Sequence, residues 1–389
     1  MASHLFPPAV YADRLRRAAA LAAGAGSGAS GPHAQGVGTP LIVTPGPDLA
    51  YLTGVRSESF ERLTALVLSG STVTVVVPKL ELAILGDSAV PALGSAGIDV
   101  TVLDWVDGTD PYALVGEALG AGDRTGTVAV SDSMPALHLL PLTTRLGVRA
   151  VLATDILRRL RMIKDAAEVA ELRAAGRAID RVHARMGELL AVGRTEREVA
   201  ADIADAIVAE GHDHAEFVIV GSGPHGADPH HEVSDRVIEA GDVVVIDIGG
   251  PLASGYNSDS TRTYSMGEPS AEVAAAYAHL ERAQAASVSA VRPGVTAETI
   301  DAAARDVLAQ AGLAEYFVHR TGHGIGLSVH EEPYIVAGND LPVQTGMAFS
   351  IEPGVYFPGQ WGARIEDIVV VTDQGCEPLN TRPHGLAVL

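Results

Sequence analysis

The sequence contains a single cysteine, few basic residues and no long apolar run. Because Cys376 has no partner in the chain, an internal disulfide is excluded, nothing requires an oxidising compartment, and we expect a cytoplasmic protein. The 27 Lys and Arg residues against 48 Asp and Glu residues give a net charge of −21, which argues against nucleic acid as a partner. No apolar run approaches the roughly 18 residues of a membrane-spanning helix, so we expect no membrane partner.

The length of 389 residues predicts two or three domains, and 47% hydrophobic residues predict ample packed cores. Residues 24–39 are rich in Gly and Ser, which is typical of a flexible loop. The first part of the chain has the pattern of an α/β domain, and the composition changes near Asp155. We therefore predict a smaller N-terminal domain over residues 1–156 and a second domain over residues 157–389. The N-terminal strands are predicted at Leu41–Val43, 63–68, 73–77, 100–103 and 128–130.

The second half alternates helical patterns with short strands, which indicates an α+β fold. Apolar residues at three- and four-residue spacing predict one continuous helix over residues 157–172 at the domain junction. Thr195 and Glu198 form the capping-box pattern at the start of a helix that continues to Glu210. Further helices are predicted at 271–291 and 297–310, where Pro293 and Gly294 separate them.

One stretch, VVVIDIGGPLASGYNSDSTRTY at residues 243–264, predicts two strands that each carry an aspartate. The β-branched run before Asp247 favours a strand, Gly249 and Gly250 are interpreted as the start of the turn, and Asp259 begins the second strand. A carboxylate at a buried strand is costly unless it is paired or bound to metal. The alternative is that both aspartates are ordinary solvated turn residues.

Histidines supply a second group of candidates. His323 stands between two glycines, which permit a close backbone approach, and His330 follows seven residues later. In an extended segment an odd separation directs two side chains to opposite faces, so the two histidines need not share a role. His230 and His231, in DPHHEVSD, are candidates as well, and the alternative for them is a satisfied loop position. No motif supports a role for His319 or for the other histidines.

Two carboxylates near the C-terminus lie in apolar strands. Glu352 follows Phe349–Ile351, and Glu366 alternates with Ile365, which places it on the same face as Arg364. A salt bridge between Arg364 and a carboxylate is the simpler explanation. Carboxylates on strands together with one histidine make an oxygen-rich set of ligands. Such a set suits manganese, cobalt, zinc or iron in a two-metal site, whereas a structural zinc site would use cysteines.

These segments resemble the metallopeptidases of the methionine aminopeptidase, prolidase and creatinase superfamily, which have the pita-bread fold. The resemblance covers residues 160–385, with a looser match of the N-terminal half to the creatinase-type domain. It rests on Asp247 in IDIGG, Asp259 in SDSTRT, His323 in TGHGIG, Glu352 in SIEPGVY and Glu366 in RIEDIVV. The implied fold is α+β, with a C-terminal pita-bread domain after a smaller α/β creatinase-type domain. The family's active-site histidines match His230 and His330, and His231 fills a position often held by glycine.

The resemblance also implies roles for these residues. Asp259 and Glu366 would bridge two divalent metal ions, Asp247 would complete one ion, and His323 with Glu352 would complete the other. Manganese is the first expectation, with cobalt, zinc or iron as alternatives. Glu352 would also carry the proton in catalysis. His230 and His330 would stabilise the oxyanion or hold the substrate, and Arg364 would contact the substrate.

Within the superfamily, EPGVY followed by ARIED looks like the Xaa-Pro aminopeptidases and prolidases. This implies hydrolysis of the Xaa-Pro bond of peptides or dipeptides by water activated between two metal ions. The implied partners are a small peptide with proline at its second position and a second copy of the chain in a homodimer. The alternatives are a metal-dependent lyase or amidase acting on a small metabolite, or a non-catalytic binding protein on the same fold.

One departure from the family pattern concerns the interval between Asp247 and Asp259. It is twelve residues, one more than in many members of the superfamily. We expect the turn through Gly250 and Pro251 to absorb the additional residue, which leaves the ligand positions intact.

Overall fold

The computed structural model describes residues 6–24, 38–58, 61–120 and 126–389. The chain divides into two compact units, Met1–Arg161 and Met162–Leu389. The sequence placed the domain boundary after residue 156, and that boundary stays a prediction. Residues 25–37 of the predicted Gly- and Ser-rich loop lie outside the described residues. Among the described residues, no helix combines the length and apolar character needed to cross a membrane.

The first unit is a mixed sheet flanked by helices, as its α/β pattern predicted. In chain order the elements are α1 (Pro8–Ala22), β1 (Leu41–Val43), α2 (Pro47–Thr53), β2 (Ala65–Ser69), β3 (Thr72–Pro78), α3 (Leu82–Gly86), β4 (Val100–Trp105), α4 (Pro111–Leu119), β5 (Thr127–Val130), α5 (Ala136–Leu146), β6 (Arg149–Leu152) and α6 (Thr154–Arg161). The described strands are hydrogen-bonded in the order β4-β3-β2-β1-β5-β6, with β1 parallel to β5 and antiparallel to β2. The five strands predicted here are confirmed, with small shifts in their bounds.

The second unit contains two sheets, a hairpin and the longer helices, which confirms the α+β prediction. Its helices are α7 (Ala166–Ala184), α8 (Met186–Leu189), α9 (Glu196–Ala209), α10 (Ala271–Ala290) and α11 (Ala297–Gln310). Its strands are β7 (Phe217–Ser222), β8 (Val243–Pro251), β9 (Asn257–Ser265), β10 (Gly322–Gly324), β11 (Glu331–Ile335), β12 (Ala348–Ile351), β13 (Gly354–Phe357), β14 (Trp361–Arg364), β15 (Asp367–Thr372), β16 (Gly375–Pro378) and β17 (Ala387–Val388). The described strands form the sheets β17-β9-β8-β7 and β11-β10-β12-β15-β16, and β13 pairs with β14.

Helix predictions in this unit succeed where local signals are strong. Helix α9 begins with the predicted capping box, in which Thr195 accepts from the Glu198 backbone and the Glu198 side chain accepts from the Thr195 backbone. The predicted continuous helix over residues 157–172 is wrong, because α6 ends at Arg161 and α7 begins at Ala166. Between them Ile163 forms a β-bridge with Met347, and Asp165 caps α7 with a second capping box. The β-bridge and the capping box give hydrogen-bond partners to backbone groups between the two helices. A continuous helix would have lost both interactions.

Strand β8 has a hydrophobic core on one face and the two candidate aspartates on the other. Ile246 and Ile248 pack in a buried cluster with residues of α7 and α9, including Ile179 and Ile203. Because side chains alternate along a strand, Asp247 lies on the opposite face. Asp247 is paired with Thr261 of β9, and Asp259 is paired with Gly249 of β8, so both aspartates lie on that same face.

The strand continues beyond the position where we expected the turn. Gly249 and Gly250 are not turn residues, because Gly250 pairs with Ser258 and the next pair is Pro251 with Asn257. The connection is formed by residues 252–256, which therefore accommodate the additional residue instead of Gly250 and Pro251. Glycine is required here for close packing, since a Cβ atom on Gly249 would lie 2.4 Å from the Ser258 carbonyl oxygen and 2.6 Å from the Phe217 ring.

Replacing Gly249 with Ala is therefore expected to lower the free energy of unfolding by about 1–3 kcal/mol, because the added methyl overpacks a buried strand pair. Denaturant unfolding of the two proteins measures the difference. Gly187→Ala is the matched control, since a Cβ atom there would meet only the Leu389 side chain, at 3.8 Å. A Gly249 variant as stable as this control would contradict the packing explanation.

The second sheet brings two further carboxylates together at the ends of two neighbouring strands. Ile351 at the end of β12 is paired with Asp367 at the start of the antiparallel strand β15. Glu352 follows the first and Glu366 precedes the second, so both side chains leave the sheet at the same end. His323 lies on β10, which neighbours β12, and its backbone N–H donates to the Ser350 hydroxyl at 2.9 Å.

Candidate metal centre

A cavity of about 680 Å³ in the second unit contains the residues that the sequence singled out. It brings together both strand aspartates, the two later glutamates, three of the candidate histidines and the arginine beside Glu366. Its lining comprises Glu216, Phe217, Ile219, Pro229, His230, Asp247, Asp259, His319, Arg320, His323, Val329, His330, Glu352, Arg364 and Glu366. Strands and loops far apart in sequence thus converge on one volume. His231, the remaining candidate, is directed away from it toward Glu196.

Three carboxylates converge on one side of the cavity. Asp247, Asp259 and Glu366 are all buried, and each offers an oxygen within 4.8 Å of the others. Burial, reinforced by the Asp247 charge, raises the pKa of Asp259 well above its ordinary value. Burial and the Asp259 charge do the same to the pKa of Glu366. The protein alone therefore disfavours the charged forms of these two carboxylates, and a bound cation would stabilise them.

The Oδ1 atom of Asp247 is a specific sign of a missing partner. It is buried, and it has no hydrogen-bond partner among the described residues. The other oxygen, Oδ2, accepts from Arg364 at 2.5 Å. A buried carboxylate oxygen without a donor costs free energy unless another group satisfies it, so this atom fits a cation ligand.

His323 presents one defined nitrogen to the carboxylates. Its Nδ1 donates to the Gly324 carbonyl oxygen at 3.0 Å, because a carbonyl can only accept. Nε2 then faces Glu352 Oε1 at 3.2 Å and Asp259 Oδ2 at 3.5 Å. Burial lowers the pKa of His323, but the neighbouring carboxylates outweigh that effect and the net shift is upward. In metal-ligating histidines, one ring nitrogen usually donates a hydrogen bond to a carbonyl or carboxylate oxygen, and this bond directs the other ring nitrogen toward the metal.

Glu352 completes this side of the site. Its Oε1 accepts from the Ser350 hydroxyl at 2.9 Å, and Ser350 also accepts from the His323 backbone, so one serine orders both residues. Burial acts to raise the pKa of Glu352, but His323 and the nearby positive charges lower it to about 2. Glu352 is therefore ionised at neutral pH.

Three overlapping groups in this cluster have the spacing of metal ligands. Asp247, Asp259 and Glu366 form the first, His323, Glu352 and Glu366 form the second, and Glu366 belongs to both. The third group consists of Asp259, His323 and His330. Carboxylate oxygens with a single imidazole nitrogen are ligands suited to manganese, iron, cobalt or zinc. The residues present therefore fit divalent metal ions.

Arg364 is next to the carboxylates and is buried, with 3% of its surface exposed. Its guanidinium donates to Asp247, to the Tyr356 hydroxyl at 2.7 Å and to the Thr261 hydroxyl at 3.0 Å. Thr261 in turn donates to Glu366 at 2.7 Å. These bonds support Asp247 and Glu366, and the contact of Arg364 with substrate that the resemblance implied stays a prediction.

The two motif histidines share a face, contrary to the sequence prediction. The rings of His323 and His330 are 4.0 Å apart between centroids, and both line the cavity. The prediction of opposite faces is wrong because residues 326–330 form bends instead of an extended strand, so alternation does not apply. His230 lies in a turn after Pro229 and is exposed to the same cavity.

Sequence reasoning missed several cavity residues. His319, which no motif supported, lies 2.8 Å from the Tyr356 hydroxyl through its Nε2. Phe217 and Ile219 reach the cavity because they pair with Gly249 and Asp247 and so share their face. The alternation of side chains along β7 was the available signal for these two residues.

Comparisons with known proteins agree with this architecture. The family model described as metallopeptidase family M24 matches residues 170–373, and the creatinase/prolidase N-terminal domain matches residues 39–163. The chain is 63% identical over 390 residues to a protein of Mycobacterium tuberculosis named "Probable dipeptidase PepE", with 100% of this chain and 99% of that protein covered. It is 35% identical over 349 residues to an Xaa-Pro dipeptidase of Lactobacillus helveticus, with 88% and 92% covered.

A solved structure is similar as well. The crystal structure of dipeptidase PepE from Mycobacterium ulcerans matches with a TM-score of 0.90 and 64% sequence identity. The match covers 98% of this chain and 99% of that chain. The fold around the cavity is therefore that of a solved dipeptidase.

Proposed function

The chain belongs to metallopeptidase family M24, and from this we propose a dinuclear metal-dependent peptidase that hydrolyses the Xaa-Pro bond of dipeptides or short peptides. A hydrolase follows from the family and its dipeptidase relatives, so a lyase or a binding protein is not favoured. The observation that carries the finer proposal is the pair of overlapping ligand groups that share Glu366 inside one cavity. The Xaa-Pro dipeptidase name of one relative supports the choice of substrate.

We assign the metal ligands as the sequence implied them. Asp247, Asp259 and Glu366 would hold one ion, and His323, Glu352, Asp259 and Glu366 would hold the other, with manganese as the first expectation. Divalent ions bound there would supply Lewis-acid activation of water and of the scissile carbonyl. The Oδ1 atom of Asp247, which has no hydrogen-bond partner in the part of the chain that the structure describes, supports the first ligand group. The Nε2 orientation of His323 supports the second.

The remaining chemistry falls to side chains of this chain. His323 and Ser350 both contact Oε1 of Glu352, so we assign Oε2 to carry a proton from water to the leaving prolyl nitrogen. That nitrogen has no hydrogen in the substrate and needs one to leave as an amine. His230 and His330 lie in the same cavity as candidate donors to the developing oxyanion. Phe217, Ile219 and Val329 offer apolar surface for the prolyl ring.

The experiment that tests this function is hydrolysis of Ala-Pro, Ala-Pro-Ala and Ala-Ala by manganese-loaded protein. We expect cleavage of at least one proline peptide and slower cleavage of Ala-Ala. If Ala-Ala were cleaved as fast as the proline peptides, the proposed specificity for proline would be contradicted. Failure on all three peptides at full metal occupancy would overturn the proposal as a whole.

Three broader expectations accompany this function. We propose a homodimer, which rests on the resemblance and which light scattering measures directly. The first unit is proposed to be the accessory domain and the second the catalytic domain. The cytoplasmic location stays a prediction.

Replacing Arg364 with Lys tests whether this arginine supports the ligands or contacts substrate. One ammonium group cannot contact Asp247, Tyr356 and Thr261 together, so we expect kcat for Ala-Pro to fall about 10–100-fold while KM changes little. Steady-state kinetics at saturating manganese measures both constants. A rise in KM with unchanged kcat would show instead that Arg364 binds the peptide.

A further inference from the structure

A second cluster of polar side chains lies outside the metal centre and is not used by the proposed mechanism. At its centre is Glu196, the first residue of α9, whose side chain is completely buried. Oε1 accepts from the Ser222 backbone at 2.9 Å, the Ser222 hydroxyl at 2.7 Å and His225 Nδ1 at 3.0 Å. Oε2 accepts from the Ser234 backbone at 3.2 Å, the Ser234 hydroxyl at 2.7 Å and His231 Nε2 at 2.8 Å.

This carboxylate organises a long connection. All of these donors belong to residues 222–234, which comprise the last residue of β7 and most of the connection to β8, and this connection consists mainly of turns and irregular backbone. Burial acts to raise the pKa of Glu196, but the donors lower it to about 2, so it is an anion at neutral pH. A buried anion with a donor at every available position holds the segment that supplies those donors.

The same segment carries His230 into the cavity. Its neighbour His231 is directed to Glu196, while the preceding Pro229 carbonyl oxygen lies 3.4 Å from Arg364 Nη1. The backbone N–H of His230 donates to Asp228 at 3.0 Å. The backbone of His230 is therefore fixed on both sides, and its ring is directed by contacts that its neighbours make.

We propose that Glu196 is a positioning residue that holds His230 in the cavity through its hydrogen bonds to His231 and Ser234. The inference deepens the proposed function, because it assumes that His230 acts on the peptide. Glu196 itself does not line the cavity, so its effect on hydrolysis passes through the connection. His231 is thus a positioning residue as well, since it contacts Glu196 and does not line the cavity.

The alternative is a metal site formed by Glu196, His225 and His231, whose ligand atoms lie within 4.8 Å of one another. The hydrogen bonds argue against it. Four donors from Ser222 and Ser234 already occupy the carboxylate, and the remaining positions receive the two imidazole nitrogens. A cation that bound there would have to displace the hydrogen bonds that the two imidazoles donate to Glu196. The number of metal ions bound per chain distinguishes a metal site from a positioning role.

A double-mutant cycle tests the proposal in the manganese-loaded full chain. Glu196→Gln keeps the size but places an NH2 group against donors, so we expect kcat/KM for Ala-Pro to fall at least about tenfold, because small displacements of catalytic groups cost up to about 100-fold. In a His230→Ala background the same substitution is expected to change kcat/KM less than about twofold. Equal losses in both backgrounds, or full activity of Glu196→Gln, would overturn the proposal.

Conservative variants and one control complete the design. His231→Gln retains a donor at the position of Nε2 and should keep most activity, whereas His231→Leu should behave like Glu196→Gln. Glu210→Gln is the matched control, because Glu210 lies at the other end of the same helix and pairs with Arg181. Loss of a bound metal ion from Glu196→Gln or His231→Gln would overturn positioning in favour of a metal site.

Amide hydrogen exchange separates this inference from the proposed function. In Glu196→Gln, peptides covering residues 222–236 should exchange faster than in the wild-type protein, while those covering residues 322–330 should not change. An inactive wild-type protein would overturn the proposed function and leave exchange to decide whether Glu196 holds the connection. Unchanged exchange in residues 222–236 would overturn the inference even if the enzyme cleaves Ala-Pro.

Discussion

Replacing Glu352 with Gln is expected to lower kcat for Ala-Pro by about 1,000-fold or more. The amide cannot accept a proton, and general acid–base groups contribute about 10²–10⁴ to rate. It also removes the negative charge that lies 3.2 Å from His323 Nε2, so one metal ligand is weakened. Initial rates at saturating peptide and increasing manganese measure both effects.

The matched control for this substitution is Glu377→Gln. Glu377 is exposed, lies on β16 of the same sheet and pairs with Arg173 at the surface. We expect its kcat to stay within about twofold of wild type, as is usual for surface substitutions. Recovery of Glu352→Gln at high manganese would assign Glu352 to metal binding alone. Undiminished turnover without added metal would contradict both roles.

Removing divalent metal is expected to abolish hydrolysis and to lower the melting temperature by about 10–20 °C. A ligand at 100 times its Kd stabilises the folded state by about 2.7 kcal/mol per site. Two such sites give about 5 kcal/mol, and each kcal/mol shifts the melting temperature by about 2–4 °C in a unit of this size. Thermal unfolding with EDTA and then with added manganese measures the shift. No response of the melting temperature to either treatment would contradict the metal centre.

Asp259→Asn separates metal binding from the cost of the buried charges. Burial and the Asp247 carboxylate disfavour the charged form of Asp259, so the metal-free variant should be at least as stable as the metal-free wild type. It should also lose most of the thermal response to manganese. Asp306→Asn, at an exposed position of α11, is the control and should keep that response. A full response in Asp259→Asn would exclude Asp259 as a ligand.

Much of the fold followed from local signals in the sequence. The capping box at Thr195 and Glu198 and the bounds of α11 depend on neighbouring residues, so they were predictable from a short window. The candidate ligands were predictable because each stands at the end of an apolar run or within a motif. The cavity contains all five of them, although their roles as ligands stay a prediction.

The features that sequence did not reveal depend on long-range contacts. The break after Arg161 includes the pairing of Ile163 with Met347, which no local pattern contains, whereas the capping box of Asp165 and Glu168 was a local signal that the prediction of one continuous helix overlooked. The shared face of His323 and His330 depends on bends between them, whereas an extended segment was assumed. Glu196 was unremarkable in sequence, because an acid in the first turn of a helix is already favourable. Its partners come from the connection after β7.

We propose that five side chains of this chain hold two divalent ions. Native mass spectrometry of the manganese-saturated full chain tests this most directly, because it counts the ions bound to each folded molecule. We expect two manganese ions per chain in the wild-type protein and fewer than two in Asp259→Asn. A wild-type chain that binds none or only one at saturation would contradict it.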